Sequence, residues 1–103
     1  MALVLAKQGY KVDVYEKREK IVTSPGLGLQ MHVSFRGARA LREVGIDAHT
    51  YPQFGVIKSV FLYGFEGDPA AELKYQDDAY CFSIDRQDYY DMLHEEAGKD
   101  KNI

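Results

Sequence analysis

Residues 2–16 have the sequence ALVLAKQGYKVDVYE, and this stretch decides the predicted fold. The apolar run 2–6 is typical of a helix that packs against a sheet. Gly9 can adopt the left-handed conformation that ends a helix. Val12 and Val14 are β-branched, which favours a strand covered on both faces. A helix, a glycine and a buried strand that ends in a carboxylate, in this order, are typical of the second half of a βαβ nucleotide-binding unit.

Glu16 comes directly after this predicted strand. In dinucleotide-binding folds an acidic residue at this point accepts hydrogen bonds from ribose hydroxyls, about 20 residues after a glycine-rich turn. A carboxylate there repels a 2′-phosphate, so it favours FAD or NAD over NADP. In the alternative interpretation, Glu16 is the solvated end of an ordinary strand that leads into the charged loop 17–20. The local spacing leaves both interpretations open.

The first strand and the Gly-x-Gly-x-x-Gly turn that belong before such a helix are not found in the sequence. We therefore expect residues 1–103 to be one partial domain of α/β class, truncated at both ends. Its sheet would be the remnant of a parallel, Rossmann-like sheet. The strand Val12–Val14 would then have an unpaired edge, and we expect the chain to self-associate through it.

The composition is that of a globular domain, with 46% hydrophobic and 28% charged residues. The net charge of −3 gives no electrostatic reason to expect binding to nucleic acid. No apolar run approaches the roughly 20 residues of a membrane span. Cys81 is the only cysteine, so an internal disulfide is impossible and we expect the cytoplasm as the compartment. The three histidines show no metal-ligand spacing.

A loop with two glycines, Gly26 and Gly28, lies between residues 21 and 30. Glycine lets main-chain amides approach a ligand without a Cβ in the way, so this loop is a candidate ligand contact. The alternative is a plain turn, for which the pair Pro25-Gly26 is sufficient.

A helix is predicted from about Ser34 to Val44, and Gly45 closes it. Its apolar residues recur every three positions and form one stripe: Phe35, Ala38, Leu41 and Val44. Three arginines recur with the same spacing on an adjacent face: Arg36, Arg39 and Arg42. They form either a phosphate contact or, more commonly, a solvated helix face.

Three strands are predicted after this helix, at residues 56–63, 71–75 and 79–84. The first is rich in β-branched and aromatic residues and is bounded by Gly55 and Gly64, and the two shorter ones have alternating character. We expect them to form an antiparallel excursion from the parallel sheet.

The last predicted element is a helix from about Asp85 to Ala97, in which Asp85 is the N-cap and Gly98 the end. Arg86 lies in its first turn, where the helix dipole disfavours a cation. Such a breach of a local rule is typical of functional or strained sites. An anion near Arg86 would resolve the conflict, and so would a salt bridge with Asp85 or Asp88.

Three blocks of the sequence together resemble the flavoprotein aromatic hydroxylases, the FAD-dependent monooxygenases of the salicylate and kynurenine hydroxylase type. The resemblance covers nearly the whole chain. The first block is shared with many FAD and NAD proteins, whereas the second and third together are more particular to this family. The blocks are LAKQGYKVDVYEKRE at 5–19, GLGLQMHVSFRGARALREVGI at 26–46 and FSIDRQDYYDML at 82–93.

The resemblance implies roles for five residues of this chain. It implies that Glu16 binds the adenosine ribose of FAD and that Arg86 lies beside the pyrophosphate, whose oxygens suit a guanidinium. It also places Gly26, Gly28 and Gln30 in a loop that passes near the flavin. Salicylate-type members usually follow this loop with Pro-Asn, and the present chain departs from them there.

The resemblance further implies an activity for the full-length family, which is hydroxylation of a small aromatic substrate with NAD(P)H and O2. The flavin supplies that chemistry, and the protein binds and orients it. Since no residue here is a self-sufficient catalytic group, we expect no turnover and at best weak FAD binding from this chain alone. One alternative is a chain without activity, either a non-catalytic small α/β interaction module or a truncated protein. Another is a fragment of an NAD-binding dehydrogenase, and the block that contains Arg86 argues against it.

Overall fold

The computed structural model describes residues 1–19, 30–76 and 80–103. Within these ranges the chain is of α/β class, with two antiparallel sheets and a C-terminal helix. The elements in chain order are α1 (Ala2–Lys7), β1 (Gln30–Val33), α2 (Phe35–Glu43), β2 (Gly55–Ile57), β3 (Ser59–Tyr63), β4 (Pro69–Lys74), β5 (Cys81–Asp85) and α3 (Arg86–Gly98).

The larger sheet has the strand order β1–β5–β2, and β5 runs antiparallel to both of its neighbours. Phe82 of β5 pairs with Val33 of β1 on one side and with Val56 of β2 on the other. The prediction of a parallel sheet remnant was therefore wrong for the described residues. A parallel sheet needs neighbouring strands that run in the same direction, and here the outer strands both oppose the central one.

The N-terminal segment follows the prediction only as far as the glycine. α1 forms, and Gly9 has a positive φ of 88°. Residues 10–16 form no strand, and Val14 is 65% exposed, so the predicted buried strand was wrong. The Val12 N–H donates to the carbonyl of Asn102 (2.7 Å), near the C-terminus, rather than to a sheet. Without that strand, the sheet edge predicted for self-association is also not found in this segment.

The core lies between the larger sheet and the helices α2 and α3. Phe82 and Ile84 point into it from the central strand, and Ile46 enters it from the segment after α2; all three are at most 2% exposed. Phe54 meets Phe82 edge-on, with ring centroids 5.9 Å apart. The buried cluster consists of Val33, Leu41, Val44, Ile46, Ala48, Phe54, Phe82, Ile84 and Met92.

The strand predicted at 56–63 is divided at Lys58 into β2 and β3, which belong to different sheets. β3 and β4 form a two-stranded antiparallel hairpin. The predicted antiparallel pairing of this segment is thus confirmed. The third predicted strand corresponds to β5, which is the central strand of the larger sheet and not part of an excursion from it.

Both longer helices form at the predicted places. Ser34 caps α2, where its Oγ accepts the N–H of Gly37 (3.3 Å). Gly45 follows α2 with a φ of 90°, as expected for a helix terminator. In α3 the buried residue is Met92, while Tyr89 and Leu93 are half-buried. Within the described ranges, every helix is too short or too polar to cross a bilayer.

Candidate functional site

The candidate site is built around the junction where β5 runs directly into α3. Asp85 is the last residue of β5 and the N-cap of α3, and its Oδ1 accepts the N–H of Gln87 (2.7 Å). Arg86 is the first residue of the helix and is half-buried, with its Nε enclosed by protein. The N-terminus of a helix favours anions because its free N–H groups and its dipole point there. A guanidinium at this position adds donors in a geometry that matches phosphate oxygens.

Gln30 is brought to this junction by strand pairing. It opens β1 and lies opposite Asp85 in the antiparallel register with β5. The sheet therefore places Gln30 beside Arg86, although 56 positions separate them in the sequence. Gly26 and Gly28, the other two predicted contacts of this loop, lie outside the described residues.

Glu16 is exposed and lies directly before a bend at residues 17–19, where it binds Arg18. Its Oε1 accepts two hydrogen bonds from Arg18, from the backbone N–H (3.1 Å) and from Nε (3.0 Å). These bonds lower the pKa of Glu16 below its usual 4.5, so the carboxylate is ionised at neutral pH. The other carboxylate oxygen, Oε2, takes part in neither bond. Glu16 is thus held in place as an anion with one oxygen that can accept further hydrogen bonds.

Arg18 is the partner that holds the Glu16 carboxylate. The Glu16 carboxylate raises the pKa of Arg18, and the Tyr90 phenol adds a smaller electrostatic contribution. Sequence reasoning missed Arg18, although the Glu-x-Arg spacing was an available signal for it.

The arginines of α2 are less suited to a ligand. Arg42 forms an exposed ion pair with Asp47 (3.5 Å), and Arg36 stacks over the ring of Phe35 at 5.7 Å. Both contacts are local and solvent-exposed, which favours a solvated helix face over a phosphate contact at these two positions.

An open cleft of about 360 Å³ lies at the opposite end of α3. Beside it Glu96 accepts hydrogen bonds from the hydroxyl of Tyr51 (2.5 Å) and the ammonium of Lys99 (2.7 Å). Lys99 and then Tyr51 lower the pKa of Glu96. This cluster ties the segment after α2 to the end of α3 and contains none of the predicted site residues. The cleft is lined by Leu3, Lys7, Val44, Glu96, Lys99, Asp100 and Lys101.

Comparison with known proteins finds no matching protein-family model. The chain is similar to kynurenine 3-monooxygenases. It is 29% identical to the protein of Sus scrofa, over 84% of this chain and 19% of the relative, and 26% identical to that of Stenotrophomonas maltophilia, over 94% and 22%. It is 44% identical to that of Anopheles gambiae, over 46% of this chain and 10% of the relative. The chain thus spans about a fifth or less of the length of these curated relatives.

These similarities agree with the resemblance to monooxygenases found in the sequence. The match to the bacterial protein covers 94% of the chain, so both Glu16 and Arg86 lie within it. The relatives are monooxygenases by name, and the similarity extends to the helix, bend, sheet and C-terminal helix described above.

Proposed function

We propose that this chain forms part of the FAD-binding region of an FAD-dependent aromatic-ring monooxygenase and contacts the ADP portion of the cofactor. The observation that carries the proposal is the similarity to kynurenine 3-monooxygenases across nearly the whole chain. Those relatives act on kynurenine by name, so an aromatic amino-acid derivative is the substrate class proposed for the whole enzyme. Within that enzyme the flavin supplies the redox chemistry, and the residues here bind and orient it.

The described residues fit the two polar parts of ADP. Glu16 is an ionised and accessible carboxylate, as binding of ribose hydroxyls requires. Arg86 presents a guanidinium at a helix N-terminus, where both the charge and the N–H groups favour phosphate. Gln30 lies beside Arg86 and offers an amide that can donate to the same phosphates. Gly26 and Gly28 remain proposed contacts of this loop.

Nuclear magnetic resonance titration of the chain with FAD tests the proposal, because chemical shifts detect even millimolar affinity. We expect amide signals to move at residues 16–18, 30 and 85–90. Adenosine is expected to move only the signals near Glu16, whereas ADP is expected to move both groups. Shifts confined to the cleft at the other end of α3, or none at saturating FAD, would contradict the proposal.

Two substitutions separate the two ends of the nucleotide. Arg86→Met is expected to weaken ADP binding roughly tenfold, since a charged hydrogen bond contributes about 1.5–3 kcal/mol, and to leave adenosine binding unchanged. Glu16→Gln is expected to weaken both ligands. Arg39→Met on α2 is the matched control and should change neither.

The second candidate function is a non-catalytic interaction module. The observation in its favour is the number of large apolar side chains that β3 and β4 expose, among them Phe61 at 55% and Leu73 at 56%. A module of this kind would bind a protein partner, and the purified complex would show no flavin absorbance. Absorbance of the purified complex near the flavin bands therefore distinguishes the two functions.

A further inference from the structure

Residues 10–16 lead to the proposed ribose contact Glu16 but form no helix or strand. Fixing the backbone of a residue costs entropy, so an irregular segment keeps one position only where contacts with other parts of the chain hold it. One such contact is short: the Val12 N–H donates to the carbonyl of Asn102 (2.7 Å). The two residues are 90 positions apart in the sequence.

Asn102 makes two further hydrogen bonds. Its backbone N–H donates to Oδ1 of Asp100 (3.0 Å), and its side-chain Nδ2 donates to the carbonyl of Ala6 (3.4 Å), which is a long bond for an amide. Ala6 is the buried residue of α1. Asn102 therefore joins α1, through its side chain, to the segment that leads to Glu16, through its carbonyl. We call the bonds of Asn102 to Val12 and Ala6 the Asn102 anchor.

Asn102 is itself connected to α3 by the turn that follows this helix. The N–H of Asp100 donates to the carbonyl of Ala97 (3.1 Å), and Asp100 in turn accepts the N–H of Asn102. α3 begins at Arg86, the proposed phosphate contact. The same helix therefore carries one proposed nucleotide contact at its start and is linked, at its end, to the segment that carries Glu16.

The bond of Val12 limits where Glu16 can lie. Within the described ranges, the preceding backbone bond of this segment runs from the Tyr10 N–H to the carbonyl of Leu5 (3.1 Å). An extended chain spans about 3.4 Å per residue, so Glu16 can reach about 20 Å from Tyr10 but only about 14 Å from Val12. The volume open to Glu16 scales with the cube of this reach, so the bond reduces it to about one third. A binding group held near its bound position loses less entropy on binding, so the anchor should improve affinity at Glu16 about threefold.

We propose that Asn102 is a positioning residue for nucleotide binding. It anchors residues 10–16 between α1 and the end of α3, and thereby sets the place of the Glu16 carboxylate. It does not contact the nucleotide and acts only through Val12 and Glu16. This role rests on the proposed function, in which Glu16 binds ribose, and it concerns the nucleoside end of the ligand alone.

Substitution of the side chain tests this role. Asn102→Asp keeps the shape of the side chain but, as a carboxylate, cannot donate to Ala6. We expect it to weaken adenosine binding about threefold in the magnetic resonance titration, and to leave binding of inorganic pyrophosphate at Arg86 unchanged. Asn102→Ala repeats the test without an added charge. Lys101→Gln is the matched control, because it changes the net charge by the same amount at the neighbouring exposed residue and should alter neither affinity.

A double-mutant cycle separates positioning from general destabilisation. If Asn102 acts through Glu16, Asn102→Asp should not weaken adenosine binding further in a Glu16→Gln background. A general loss of stability would instead lower the affinity in both backgrounds and would weaken pyrophosphate binding as well. Equal losses of adenosine affinity in the two backgrounds would overturn the proposal.

The unmodified chain gives a second measurement that needs no variant to fold. Coupling between two sites is reciprocal, so saturating adenosine should slow hydrogen exchange of the Val12 amide about as much as the anchor improves adenosine binding. Pyrophosphate should leave this exchange unchanged. Adenosine binding without slower exchange at Val12 would overturn the role of Asn102 alone. Absence of any adenosine binding to the unmodified chain would overturn the proposed function, and the role of Asn102 with it.

Discussion

At the scale of single residues, the sequence indicates local contacts, such as the N-cap hydrogen bond of Asp85, but not contacts between distant segments. Arg86 was recognisable because its position follows from a helix start that the structure contains, whereas Glu16 was singled out by a predicted strand end that does not form. The hydrogen bond from Tyr51 to Glu96 joins residues 45 positions apart, and no local pattern indicates it. Residue types show what a side chain can bind, whereas the partner depends on how distant segments pack.

Tyr51→Phe is expected to lower the free energy of unfolding by about 1 kcal/mol at pH 7, because it removes a hydrogen bond to a charged acceptor. Lys99 and Tyr51 lower the pKa of Glu96 in the folded chain, so their stabilisation is present above the unfolded value of 4.5 and is lost as the pH falls through the folded pKa. Urea unfolding at pH 7 and pH 3 should therefore show a smaller effect of the substitution in acid. Tyr10→Phe, at an exposed tyrosine, is the control. The same loss at both pH values would contradict this role for Glu96.

At the scale of elements, helices followed the sequence more closely than strands did. The caps of α2 and α3 and the positive φ of Gly45 are local properties, so the residues that favour them lie within a few positions. A strand instead depends on a partner elsewhere in the chain. Residues 11–16 have the right composition but no ladder beside them, and the division at Lys58 is set by pairing with β5 and β4.

Two glycines that the sequence treats alike, as helix ends, are expected to respond oppositely to alanine. Gly45 has a φ of 90°, so Gly45→Ala forces a left-handed alanine and should cost about 1–2 kcal/mol. Gly98 is the last residue of α3, has no positive φ, and an added Cβ would meet nothing within 4 Å. Gly98→Ala should therefore stabilise the chain by about 0.4–1 kcal/mol. Thermal unfolding of both variants measures the two signs, and destabilisation by Gly98→Ala would show that α3 ends differently.

At the scale of the whole molecule, the chain combines a cooperative body with a hairpin that contributes little to its core. The body consists of the larger sheet with α2 and α3, and it also holds the proposed nucleotide contacts Gln30 and Arg86. The proposed nucleotide contacts therefore lie in the part of the chain that forms the core, and the hairpin contains none of them.

This division predicts that removing one carbon from a core residue destabilises the chain more than removing three carbons from a hairpin residue. Ile84→Val removes one carbon from a core side chain that is 2% exposed and should cost about 0.5–1.5 kcal/mol. Leu73→Ala removes three carbons from an exposed hairpin residue and should cost less than about 0.5 kcal/mol. Urea unfolding of the two variants under the same conditions compares the two losses. A larger loss for Leu73→Ala would mean that the hairpin folds as part of the core, and the separation of body and hairpin would then be wrong.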